Sequence, residues 1–410
     1  MSSFSQFLMM IFTLSSACWT PLCIAQEYGI HDPCLIKQGD TYVLFSTGGL
    51  LPMRRSSDLM NWQRGGDALS EIPLWAKQIV PESKGCWAPD IAFFDGEYHL
   101  YYSISTFGKN RSCIGLATNV TLDPADPRYV WQDQGEVIRS RPMIDDFNAI
   151  DPNIVLDSDG QPWMSFGSFW NGIYLTQLDL VTGKPAGPLS HIAGRNRGPI
   201  EAPFIVHHEK FFYLFVSFDF CCKGVGSTYK IMVGRSERVE GPYMDHQGRS
   251  LVDGGGTLLL ASHENTRGPG HNAVLTDNGR DWLVHHAYDA TRKGRSMLQV
   301  RPLLWSDAGW PLAGEPDLST DEGTLPNWAG TWEFWIDYEQ QQPLTLISNG
   351  QVESQVGATW KPVGTQLELS FPTVDQFLQT TKCHVDPEGR WFVGRDPAGR
   401  ILRGVRRLAP

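Results

Sequence analysis

The sequence predicts an all-β protein: a five-bladed β-propeller followed by a small C-terminal β-barrel domain. Its main support is a repeat. Five times a short apolar strand opens beside an acidic or imidazole side chain, then leads through a turn into an aromatic-rich strand. The openings are His31-Asp32-Pro33, Trp87-Ala88-Pro89-Asp90, Ile150-Asp151-Pro152, Glu201-Ala202-Pro203 and Gly270-His271-Asn272. Their key residues lie 58, 61, 50 and 70 positions apart, a period that suits one multi-stranded blade per unit. Composition agrees. The 41 Gly and 27 Pro supply turns, and charged residues make up 19% of the chain, a balance that argues against disorder.

Each unit reads the same way. In the first, Cys34–Lys37 is a strand, Gln38-Gly39-Asp40 a turn and Tyr42–Ser46 the next strand. The second has Ile91–Phe94, the hairpin pair Asp95-Gly96, then Tyr98–Ser103. Asp-Gly is a strong two-residue turn signal because both positions accept positive φ. The third has Asn153–Leu156, Asp159-Gly160 and Trp163–Gly167; the fourth has Phe204–Val206, His208-Glu209-Lys210 and Phe211–Ser217. The fifth has Ala273–Leu275, Asn278-Gly279 and Trp282–His286. Further strands are expected at Ser112–Ala117, Ile173–Leu178 and Ile231–Arg235. After Pro326 no acidic opening recurs. Alternating runs at Leu344–Ile347, Leu367–Leu369 and Trp391–Val393 suggest the separate barrel. The expected divisions are 1–25, 26–325 and 326–410.

Residues 1–25 read as a signal peptide. Phe7–Ala17 is largely apolar, nothing before Glu27 is charged, and Ala25 follows Cys23 by two residues. The absence of Lys or Arg there departs from the usual pattern. The expected mature start lies near Gln26, with a secreted or periplasmic location; a lipid anchor at Cys18 is the weaker expectation. The apolar run is too short to span a bilayer. Six cysteines would then remain: Cys34, Cys86, Cys113, Cys221, Cys222 and Cys383, with no zinc spacing. Neighbouring Cys221 and Cys222 are expected on opposite strand faces rather than bonded, and no pairing is assigned. A net charge of −11 disfavours nucleic acid and anionic membranes and suits a neutral or cationic ligand. Most of the 15 Trp belong to cores, and a few could stack on sugar faces.

In a propeller the first strand of every blade lines one channel, so Asp32, Asp90, Asp151, Glu201 and His271 should converge. Glycosidic bonds break through an oxocarbenium-like transition state served by two carboxyl groups, one protonated and one ionised. An inverting enzyme sets them roughly 6.5–9.5 Å apart, leaving room for water. A third carboxylate would raise the acid's pKa by like-charge repulsion. Taken singly, Asp32, Asp90 and Asp151 read better as turn residues beside proline, and His271 as a core histidine. Recurrence at one repeat position lifts them above that reading.

These motifs, with Ala149-Ile150-Asp151-Pro152-Asn153 and Gly268-Pro269-Gly270-His271-Asn272, resemble those of glycoside hydrolase family 43 over residues 28–315. Ser217–Gly224 and Val233–Ser236 are similar to its α-1,5-L-arabinanases. The resemblance implies a five-bladed propeller and inverting hydrolysis of α-1,5-L-arabinofuranosidic bonds in plant cell-wall arabinan or arabino-oligosaccharides, with endo action. It implies Asp32 as general base, Glu201 as general acid and Asp151 as the residue that tunes and orients that acid. It implies a hydrated calcium ion at His271. It places Trp87, Asp90, Phe107, Asn153, Ser168, Phe169 and Trp170 in sugar binding. An exo-arabinanase, arabinofuranosidase or β-xylosidase would use the same acids. A non-catalytic polysaccharide-binding propeller would not need three convergent carboxylates, and a peptide-binding scaffold is disfavoured by the channel charges.

Overall fold

The computed structural model describes residues 27–316, 328–339, 341–353, 355–373, 375 and 377–406. The expected signal peptide and Cys18 lie outside the described residues, as does most of the segment joining the two predicted domains.

Five four-stranded antiparallel sheets follow one another, each with its strands in chain order. Blade one comprises Cys34–Gln38, Thr41–Phe45, Pro52–Ser56 and Gln63–Asp67; a short helix, Leu74–Ile79, precedes blade two. Blade two comprises Trp87–Phe94, Glu97–Ile104, Ser112–Asn119 and Gln132–Ser140. Blade three comprises Asn153–Leu156, Pro162–Phe166, Ile173–Gln177 and Ser190–Ala193. Blade four comprises Ile200–His208, Phe211–Phe218, Lys230–Ser236 and Thr257–Leu260, and blade five Thr266–Asp277, Arg280–Asp289, Arg295–Trp305 and Pro311–Ala313. The expected inner hairpins form. Asp95-Gly96 and Asn278-Gly279 each carry two positive φ values, matching the twist of the strands they join. The predicted outer strands are the third of each sheet.

Among the described residues, no full strand is exchanged between blades five and one, although Tyr28 makes an isolated bridge to Met297. Instead the segment after Gln26 closes the ring. Gly29 N donates to Ser296 O at 2.8 Å and Leu298 N to Glu27 O at 2.8 Å, while Lys37 reaches Asp277 at 2.8 Å.

Residues 330–406 form an open seven-stranded sheet, with Gln342–Leu346 and Thr359–Val363 as its edges. The sequence reading expected a closed barrel; the pairing seen is that of a half-barrel. This sheet shares a core with the propeller: Tyr338, Trp391, Val393 and Ile401 pack with Tyr213, Phe215, Leu259, Trp310 and Leu312. Polar ties flank that core. Arg395 donates to Leu258 O at 2.9 Å and Pro311 O at 3.0 Å. Glu315 sits between Arg301, at 3.3 Å, and Arg403.

Candidate active site

One backbone device repeats around the channel. Asp32, Ala88, Asp151, Ala202 and His271 all have positive φ, between 39° and 58°. In blades two, four and five each lies inside a register shift of the first strand, the signature of a bulge that re-aims side chains. Every one of these five N–H groups is held by the preceding blade. Ala88 donates to Thr47 Oγ1 at 2.7 Å, Asp151 to Ser103 Oγ at 2.9 Å and His271 to Ser217 Oγ at 2.8 Å. Asp32 donates to His286 Nδ1 at 3.1 Å, closing the circle from blade five to blade one.

Blade four breaks the pattern. The residue matching Thr47, Ser103, Ser217 and His286 in blade three is Gly167, whose N–H bonds Ile150 O at 2.9 Å. Gly167 has φ +137°, and an added Cβ would lie 2.3 Å from Gly172 O, so no hydroxyl can stand there. The Ala202 N–H is taken instead by Asp151 Oδ2 at 3.1 Å. That bond turns the Asp151 carboxyl toward the residue beside Glu201.

This ring corrects the sequence register. Only Asp32, Asp151 and His271 occupy the bulge position. Glu201 stands one residue earlier and Asp90 two residues later, level with Asn153. Asp90 is buried, and its Oδ2 accepts from Ile154 N at 2.6 Å and Asn153 Nδ2 at 3.2 Å. Asn153 Oδ1 accepts in turn from Ile205 N at 2.8 Å. These two residues tie blades two, three and four together. Burial pushes the Asp90 pKa up to about 7, against the pull of those hydrogen bonds.

Asp32 is buried among imidazoles. Its Oδ1 lies 2.8 Å from His31 Nδ1, 3.1 Å from His271 Nδ1 and 3.4 Å from His286 Nδ1, and its Oδ2 accepts from Thr47 Oγ1 at 2.5 Å. Burial opposes ionisation, but the charges and hydrogen bonds of His31 and His271 outweigh it and hold the carboxyl well below the usual range. His271 answers in kind: burial resists its protonation, yet Asp32, then Asp151 and Glu201, lift its pKa to about 9. Asp151 goes the other way. Burial first, then the charges of Glu201 and Asp32, raise its pKa to about 8, although His271 pulls against them.

Glu201 is gripped at both oxygens. Ser168 Oγ donates to Oε2 at 2.7 Å and Tyr229 OH to Oε1 at 2.7 Å. Ser168 reaches it because the loop after Pro162–Phe166 bridges to Glu201, with Phe169 N donating to Ile200 O at 2.7 Å. Phe169 and Trp170 follow with positive φ, and the Phe169 ring lies 6.2 Å from that of Phe220. Trp87 is half-buried at the start of its strand. Phe107 is 80% exposed on the neighbouring loop.

Sequence reasoning missed Thr47, Tyr229, His286 and Tyr288. Each sits on or next to a second or third strand that reads as ordinary core. It also missed a bond: Cys221 and Cys222 form a vicinal disulfide, not two opposite-facing thiols. The other four, Cys34, Cys86, Cys113 and Cys383, are buried free thiols.

The residues were tested against the expected calcium. Among the described residues, two trios bring possible ligand atoms together, His31/Asp32/His286 and His31/Cys221/Cys222, and neither contains His271. The second is ruled out because its two sulfurs are bonded to each other. A hard cation prefers six to eight oxygens. His271 commits Nδ1 to Asp32. The fit is therefore to a mainly water-coordinated ion, with His271 Nε2 as a single imidazole ligand once that nitrogen has given up its proton. The neighbouring Asn272, buried with both side-chain polar atoms unpartnered, is compatible with ordered water beside it.

A model of the glycosyl hydrolases family 43 matches residues 26–311. An extracellular exo-α-(1→5)-L-arabinofuranosidase of Cellvibrio japonicus is 42% identical over 321 residues, covering 75% of this chain and 92% of that one. An extracellular endo-α-(1→5)-L-arabinanase of Bacillus subtilis is 42% identical over 309 residues, covering 74% and 93%. The crystal structure of an endo-1,5-α-L-arabinanase from Thermotoga petrophila superposes with TM-score 0.79 at 25% identity, covering 93% of this chain and 99% of that one.

Proposed function

The chain belongs to glycosyl hydrolase family 43, and on that premise we propose that it hydrolyses α-1,5-L-arabinofuranosidic bonds within arabinan, with inversion. The enzyme class and an arabinanase or arabinofuranosidase activity follow from its relatives. What carries the finer reading is the gathering of Asp32, Asp151 and Glu201 from three blades around His271.

The roles follow from the electrostatics. Asp32, kept ionised by its imidazoles, takes a proton from the attacking water. Glu201 protonates the leaving oxygen. Ser168 and Tyr229 fix its two oxygens, and a hydroxyl can turn from donor to acceptor as the proton comes and goes. Asp151 holds a proton at neutral pH and stands on the Ala202 N–H beside Glu201. Three close carboxyls cannot all ionise, so Asp151 keeps a proton in the cluster that Glu201 draws on. Trp87, Phe107, Ser168, Phe169 and Trp170 line the sugar path. A calcium ion at His271, when bound, would supply a fixed positive charge beneath the site.

Endo action is favoured by the Thermotoga petrophila endo-arabinanase, whose likeness extends through the C-terminal sheet. Product size on linear α-1,5-arabinan tests it. An early spread of oligomers with rapid viscosity loss is expected. A single short product with slow viscosity loss would make the enzyme exo-acting, the activity carried in the name of the Cellvibrio japonicus relative.

Export through the N-terminal segment is part of this reading, supported by two relatives named extracellular. No helix among the described residues is long and apolar enough to cross a membrane. The C-terminal sheet serves as a cover for blades four and five, because its core is continuous with theirs.

A further inference from the structure

We propose that the Cys221–Cys222 disulfide is a positioning element for the base: it anchors the donor end of a hydrogen-bond chain that ends on Asp32. The proposal rests on the reading of Asp32 as base. The disulfide lies in the loop between Phe211–Phe218 and Lys230–Ser236. The loop is pinned at its ends. Asp219 pairs with Arg195 at 2.9 Å and Lys230 at 2.9 Å, and Thr228 N donates to Phe220 O at 2.9 Å. At its exposed tip, Cys222 N donates to Tyr288 OH at 2.8 Å. Tyr288 OH is 2.7 Å from His31 Nε2, and His31 Nδ1 is 2.8 Å from Asp32 Oδ1.

Neither end of this chain can reverse. An amide N–H donates and never accepts, so Cys222 occupies a lone pair of the phenol oxygen. At the other end the ionised Asp32 accepts and never donates, which draws the His31 proton to Nδ1 and leaves Nε2 to accept the single proton of the phenol. His31 Nε2 is nearer than the alternative, His286 Nε2 at 3.4 Å. With Nε2 accepting, the His31 proton sits on Nδ1 and points at Asp32. A bond between adjacent cysteines closes a ring through the peptide that joins them, and the Cys222 N–H belongs to that peptide. The disulfide therefore holds in place the donor end of the relay, and with it the tyrosine and imidazole that lead to Asp32. Cys222 Sγ also lies 3.8 Å from His31 Nε2, so the cross-link walls the imidazole on that side.

The test is kinetic and spectroscopic, on the full chain with linear α-1,5-arabinan. Cys221→Ser with Cys222→Ser should lower kcat roughly tenfold or more, as expected when a catalytic group is slightly misplaced, with KM unchanged. Tyr288→Phe should do the same, and the combined variant should lose no more than either, because one chain is cut twice. Nitrogen NMR of labelled histidine should find His31 protonated at Nδ1 in the parent, with the Nε2 resonance shifted in the serine pair as the phenol hydrogen bond loosens. Dithiothreitol gives a route independent of folding the variant. Its two thiols are oxidised to a cyclic disulfide while each cysteine sulfur gains one electron and one proton, and kcat should fall in the parent but not in the serine pair. Full kcat in the serine pair with the His31 Nε2 resonance unchanged, or losses that multiply with Tyr288→Phe, would overturn the proposal. Asp32→Asn in the same series separates the two readings. If it is active, the base assignment fails and takes this proposal with it; if it is inactive while the serine pair runs at full speed, the positioning role alone fails.

Discussion

Two buried clusters of charge differ in how the charge is balanced. Where the C-terminal sheet meets the propeller, Glu315 lies between Arg301 and Arg403. Burial would raise its pKa, but the two guanidiniums outweigh burial and hold the carboxyl far below its usual range. One carboxylate faces two permanent cations and offsets their repulsion. In the channel, three carboxyls face His271, and the cluster is divided. Asp32 is pushed down while Asp151 is pushed up to about 8. The interface is arranged to stay as it is. The channel holds one carboxyl ionised and another protonated at the same pH, which is what proton transfer needs. Perturbation alone does not mark a site; carboxyls pushed in opposite directions around one imidazole do here.

That contrast can be broken from the channel side first. Asp32→Asn should lower arabinan hydrolysis roughly a thousandfold or more, the scale of a lost general base, and an activated leaving group should not restore it; this is read by initial rates on both substrates. Asp151→Asn should cost less, roughly a hundredfold, because the amide oxygen still accepts from Ala202 N–H but no proton can pass. Its circular dichroism should match the parent. Tyr229→Phe removes one of the two hydroxyls on Glu201 and should cost roughly tenfold in kcat, about the worth of a hydrogen bond to a charged group. On the interface side, Glu315→Gln leaves two buried guanidiniums without their counter-charge. It should destabilise the fold by about 3 kcal/mol in a denaturant titration while leaving kcat of the folded enzyme unchanged. The pH sign follows from a depressed carboxyl. Its contribution is complete above the ordinary glutamate value of 4.5 and is lost as pH falls below it. Acid melting should therefore shift less for Glu315→Gln than for the parent, as read by Tm against pH.

Much of the fold was legible because the cues were local. Asp95-Gly96 and Asn278-Gly279 set their hairpins through backbone conformation alone, and the recurring openings counted the blades. The bulges were not legible. A bulge inserts one residue without changing the apolar pattern, so Asp90 read as the partner of Asp32 although it stands level with Asn153. Nor could the sequence reveal that Gly167 leaves an N–H for Asp151 to take, since that need appears only when blade three meets blade four. Tyr229 and His286 were hidden for the same reason: one lies just before a strand and the other within one, both are buried, and their polar ends meet the site across blades. The half-barrel escaped because alternation identifies strands but not whether their edges meet.

The most direct test of the account is Glu201→Gln assayed in parallel on linear α-1,5-arabinan and on an aryl arabinofuranoside whose phenol leaves without protonation. The account predicts that cleavage of the polymer is lost while turnover of the aryl substrate largely survives, because only the natural leaving oxygen needs the Glu201 proton. Equal losses on both substrates, or parent-like cleavage of arabinan, would contradict it.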